Sequence, residues 1–165
     1  MNLLEKNKLN IIVYSFLVLG ILLSIKRSSN FSDGDSFDVI MTFLNFIDYG
    51  VYTPSRAAYG HLVPEFIIGF FAYNFGIPVS NIVCFLFFFS SILLLTRTFK
   101  FNNLESFFFY TLCFSNFLLF IENTNSIDYS IALFFFVVSI FFIKKENFFL
   151  NSIFFGLTII SRANF

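Results

Sequence analysis

The sequence predicts an all-α, polytopic helical membrane protein. Hydrophobic residues make up 58 % of the 165 positions and charged residues only 12 %, about half the charged share of an ordinary soluble domain. The apolar residues come in blocks of about the length that crosses a bilayer rather than in an interleaved pattern. Charges bound the blocks instead of entering them.

The first block, "LNIIVYSFLVLGILLSI" over 9–25, follows Lys6 and Lys8. No small-residue cleavage site comes after it and Lys26-Arg27 follow at once, which predicts an uncleaved first span rather than a signal peptide. Further spans are predicted over 77–95, closed by "TRTFK", over 104–121, and over 126–143, closed by "KKEN". The last, 148–161, is short for a crossing of about 20 residues and requires little tilt or a locally thin bilayer. This makes five transmembrane helices.

Block 62–76, "LVPEFIIGFFAYNFG", is apolar but short and contains Pro64, Glu65 and two glycines. Charge decides its placement. If it does not span and the N-terminus is cytoplasmic, six of the ten basic residues (Lys6, Lys8, Arg97, Lys100, Lys144, Lys145) lie inside. Seven of the ten acids (Asp33, Asp35, Asp38, Asp48, Glu65, Glu122, Asp128) then lie outside. If it spans, both basic loops move outside, against the positive-inside trend. Lys26 and Arg27 are exceptions to the trend. The expectation is therefore one long outer loop, 26–76, with interfacial helices. One covers 37–52, where Phe37, Ile40, Met41, Leu44 and Ile47 fall at helical spacing, and the other covers 62–76.

A zero net charge argues against nucleic acid as a partner. Cys84 and Cys113 lie inside apolar runs with no metal or disulfide spacing and are read as small core residues. No glycine-rich phosphate loop is present, so nucleotide use has no support. Asn30-Phe31-Ser32 is a formal glycosylation sequon lying too close to the membrane to serve as an acceptor.

The outer loop opens on "SSNFSDGDSFDVI". Asp33 and Asp35 offer a carboxylate to take a proton from an attacking hydroxyl, or a pair of hard oxygen ligands for a divalent cation. The plainer reading is a turn and a helix cap, with Asp35 or Ser36 capping the helix at 37 and Asp38 favouring its first turn. Arg56 offers a guanidinium fork for phosphate oxygens, against lipid headgroup binding or an ion pair to Glu65. His61, the sole histidine, is a candidate for acid/base work or substrate contact, against an ordinary structural role.

The order of these features resembles a known family. An uncleaved span, an outer loop opening on an acidic motif with an aromatic four residues on, then "GVYTPSR" and a short apolar helix look like the GT-C-type membrane glycosyltransferases. In particular they resemble the protein O-mannosyltransferase and aminoarabinose-transferase-like branch. In "DGDSF", Asp33 and Phe37 stand in the motif positions. "YTPSRAAYGHLVPEF" resembles the family's P-S-R-x-P-G-x-P-x-x-E stretch at Pro54, Ser55, Arg56, Gly60 and Glu65, with Tyr59 and His61 in place of its prolines. Asp128 resembles the acid at the outer start of the fourth span, and Gly156 with Arg162 resembles the end of a G-L-x-x-x-x-[RK] span. The resemblance implies an inverting sugar transfer from a polyprenyl-phosphate-linked donor to a lipid, glycan or protein acceptor on the non-cytoplasmic side of a bacterial plasma membrane. Asp33 would then be the base and Asp35 its assistant or a metal ligand. Asp128 would contact substrate, and Arg56 and Arg162 would meet the lipid phosphate; His61, which departs from the family's pattern, remains a candidate for substrate contact on its own chemistry. Family members are several times longer, so this chain is expected to be the N-terminal part of a larger enzyme. The alternative is a non-catalytic membrane protein such as a transporter or polysaccharide-export subunit.

Overall fold

The computed structural model describes residues 3–28, 34–55, 61–126 and 128–161, without the side chains of 3–8, 34, 35 and 117. The described residues form helices and no strands. In chain order these are α1 (Leu3–Arg27), α2 (Gly34–Tyr49), α3 (Leu62–Phe75), α4 (Ile77–Thr98), α5 (Asn103–Ser115), α6 (Phe117–Glu122), α7 (Asp128–Lys144) and α8 (Phe148–Ser161). Two of them are long and apolar enough to cross a membrane, α1 over Leu9–Arg27 and α4 over Ile77–Thr98.

The helices at the other expected spans are split or shorter. The block read as one span over 104–121 is broken at Asn116. The backbone of Asn116 is extended; its N–H reaches Leu112 O and its side chain accepts from Leu119 N at 3.1 Å. A carboxamide supplies the capping acceptor that an apolar residue lacks. α7 has 17 residues and α8 has 14. α5 starts on a full capping box, with Asn102 accepting from Glu105 N while Glu105 accepts from Asn102 N.

In the expected outer loop, both predicted helices form. α2 begins at Gly34, three residues before the predicted start, which puts Asp35 and Ser36 inside its first turn and not at a cap outside it. α3 matches the short apolar block and ends on Gly76, whose φ of 86° suits a residue without a Cβ.

Two apolar cores meet along α4. Phe85, Phe88, Phe89 and Ile92 pack with Tyr110, Phe114 and Phe120, and the inner stripe of α1 closes over them. Cys84 lies in the second core with Val39 and Ile40 of α2, Ile68 of α3 and Ile131 of α7. Two glycines bring backbone and ring together, Gly20 under Phe85 and Gly69 under Phe43. The outer face of α1 stays apolar and open, with Ile11, Tyr14, Val18 and Leu22 all more than half exposed. Surface of this kind suits a lipid environment better than water.

Hydrogen bonds fix the helix directions. Asn81, early in α4, donates to Ser24 O, late in α1, at 3.2 Å, so α1 and α4 run in opposite directions. Ser126, just before α7, donates to Asn81 Oδ1 and meets Ser80 Oγ, each at 2.7 Å. Lys144 Nζ lies 5.5 Å from the Phe99 ring centre. α4 and α7 therefore begin together and finish together. One end of the bundle gathers the termini of α1, α4 and α7 that carry Arg27, Asn81 and Asp128. The opposite end gathers Arg97, Lys100, Lys144 and Lys145.

Candidate functional site

The end bearing Asp128 brings together Ser55, His61 and Glu65 with Asp128, and it is built from segments far apart in sequence. The chain leaves α2 at Tyr49 and returns at α3, and Glu65, in the first turn of α3, is fully buried. An isolated carboxylate there would be costly to desolvate. Three donors from the loop before α3 satisfy it. Tyr52 donates its hydroxyl to Glu65 Oε2. Ser55 donates its backbone N–H at 3.1 Å and its hydroxyl at 2.5 Å, both to Oε1. Bonds to an ionised acceptor are roughly twice as strong as neutral ones. The Tyr52 phenol is held well above the ordinary tyrosine range, first by burial, then by its hydrogen bond to Glu65 and by the charge there. The Tyr52 ring also packs against Phe66.

The second anchor of this loop is His61. It is buried, and its Nε2 stands 3.8 Å from Oδ2 of the buried Asp128. Its Nδ1 is buried with no hydrogen-bond partner among the described residues. Of the expected site residues, His61 and Asp128 are thus brought together across 67 positions of sequence. The turn before Asp128 is itself buried, with Asn123, Thr124, Asn125 and Ser126 all inside. Arg27 donates to Ile121 O at 2.9 Å and ties that turn to the end of α1.

Asp33, Arg56 and Arg162 lie outside the described residues, as does the side chain of Asp35. By position, Asp33 and Asp35 flank the start of α2, Arg56 lies between the Ser55 and His61 anchors, and Arg162 follows the last described residue of α8. Among the described residues no group of three or more His, Cys, Asp or Glu side chains could hold a metal ion. A cation shared by Asp33 and Asp35 concerns side chains outside that description.

Two residues of this site were not singled out from sequence for the work they do. Glu65 was read only as a motif position and as a partner for Arg56, and Tyr52 was not named. The signal for Glu65 was available: a carboxylate in the first turn of an apolar helix, after a segment rich in hydroxyls. Beside these anchors, Leu62, Val63, Phe66 and Ile67 line an open apolar hollow of about 310 Å³ on α3. Comparison with models of protein families, with curated proteins and with solved structures finds no match to this chain.

Proposed function

We propose that the protein transfers a sugar from a polyprenyl-phosphate donor to an acceptor hydroxyl at the non-cytoplasmic face of a membrane. It would cross that membrane five times, at α1, α4, the α5–α6 pair, α7 and α8, with α2 and α3 along the outer surface. The observation that carries this reading is the double anchorage of the 52–65 loop. Glu65 binds the loop's start at Tyr52 and Ser55, and Asp128 meets its end at His61, so these residues of two motif-like segments lie at one end of the bundle.

In the proposed reaction the acceptor oxygen attacks the sugar C1 and forms the new C1–O bond. The C1–O bond to phosphate breaks with inversion, and polyprenyl phosphate leaves with the bond's electron pair. The acceptor's proton passes to the Asp33 carboxylate. Arg56 and Arg162 would meet the phosphate oxygens, and the apolar hollow on α3 suits a hydrocarbon chain. The ionisable residues of α4 and α7 favour chemistry at the interface over transport. Arg97, Asp128 and Lys144 stand at helix ends, whereas a transport pathway places such groups in mid-membrane.

The test is incubation of the whole protein in vesicles with sugar-labelled polyprenyl phosphates. Release of polyprenyl phosphate in step with labelled acceptor supports the reading. Solute flux across the vesicle without sugar transfer would replace it with a transport role.

A further inference from the structure

The opposite end of the bundle takes no part in this chemistry, and its composition points to a different partner. Arg97 and Lys100 close α4, and Lys144 and Lys145 close α7, all four exposed. Lys144 lies over the Phe99 ring at 5.5 Å and Lys145 over the Phe141 ring at 5.7 Å. Among the described residues none of the four pairs with a carboxylate. Glu105, the nearest acid in sequence after Lys100, is occupied by its own capping box. Exposed aromatics ring the cations: Phe99, Phe148 and Phe149, the last 75 % exposed. Lys100 also occupies a left-handed backbone position, φ 54°, which glycine would fill with less strain.

We propose that this end is a docking surface for anionic phospholipid headgroups. Four cations without a carboxylate partner among the described residues outnumber Glu146, the exposed acid beside Lys145, and attract the lipid phosphates, and aromatic rings rest at the headgroup level where one edge is apolar and the other wet. The proposal requires a membrane but not the glycosyl-transfer reading, so the two stand or fall separately.

The chain has no tryptophan, so a single introduced indole is an unambiguous reporter. Phe149→Trp places it at the basic end and Tyr49→Trp at the other. The protein is inserted into vesicles containing equal amounts of phosphatidylcholine and phosphatidylglycerol, with one or the other lipid brominated. The expected result is stronger quenching of the Phe149→Trp reporter by brominated phosphatidylglycerol, corresponding to a local enrichment of about threefold to tenfold, weakened by salt. The Tyr49→Trp reporter should show no enrichment. R97Q/K100Q and K144Q/K145Q, made separately so that each variant keeps half of the charge for insertion, should each reduce the enrichment. Equal quenching by the two lipids at position 149, or enrichment unchanged in both paired variants, overturns the proposal.

Discussion

The ring of Phe85 fills the space that any side chain at Gly20 would need: a Cβ there would stand 1.9 Å from Phe85 Cζ. Phe85 is fully buried in the core between α1 and α4, so the ring has little room to retreat. Gly20→Ala should therefore cost about 1–3 kcal/mol of stability, the usual range for overpacking. Gly69→Ala should cost more, because the atom it meets at 2.1 Å is Phe43 Cβ, fixed to the backbone. Gly156→Ala meets nothing within 4 Å and should be neutral or stabilising by about 0.5–1 kcal/mol through helix propensity. Denaturant unfolding in detergent checks the ranking. A Gly20→Ala protein as stable as wild type would mean that α1 does not pack on α4 in this way.

The Glu65 clasp makes a prediction about pH. The Tyr52 phenol is raised above its ordinary value of 10.0 in the folded protein. A raised group contributes stability that is present below the unfolded value and is lost as pH rises through the folded one. The contribution of Tyr52 to stability should therefore be full and independent of pH below about pH 10 and fall above it, because the unfolded chain releases the proton first. Tyr52→Phe should remove that part of the alkaline loss. Near neutral pH it should cost about 1.5–3 kcal/mol for a hydrogen bond to a charged acceptor. Unfolding midpoints at neutral and alkaline pH, wild type against Tyr52→Phe, decide it.

Lys100→Gly separates folding from lipid contact. Relief of the left-handed position should stabilise the protein by about 1 kcal/mol, while removal of the cation lowers the phosphatidylglycerol preference at the basic end. A variant that loses stability would show that Lys100 is held by contacts of its own.

The helices were legible where local signals are strong. The apolar blocks of α1 and α4, the helical spacing of Ile40 and Leu44 in α2, and the charge asymmetry between loops are all properties of contiguous residues. The break at Asn116 was not legible, since one polar residue within an apolar run gives a weak signal until its cap is seen. α2 began at Gly34, earlier than its apolar stripe indicates, because acids in a first turn favour the helix and carry no hydrophobic mark. The pairings that build the site were beyond local reading altogether. Asn81 meets Ser126, and His61 meets Asp128, only because α4 and α7 run parallel, and no local pattern encodes that. Glu65 could be seen as acidic but not as buried.

The proposal of five crossings is open to labelling. In a C84A/C113A background, single cysteines in D35C and R56C should react with an impermeant reagent from the non-cytoplasmic side, and those in F99C and E146C should not. Reaction at position 99 from that side would mean that α3 crosses the membrane and would invert everything after it.

The most direct test of the proposed chemistry is the rate of sugar transfer by Asp33→Asn in the whole protein, with membrane insertion and donor binding measured on the same sample. Asparagine keeps the shape and the hydrogen-bonding atoms of aspartate but does not accept the acceptor's proton. Loss of a positioned base predicts a fall in transfer of about 10²–10⁴-fold with insertion and donor binding preserved. Transfer at the wild-type rate would contradict the account.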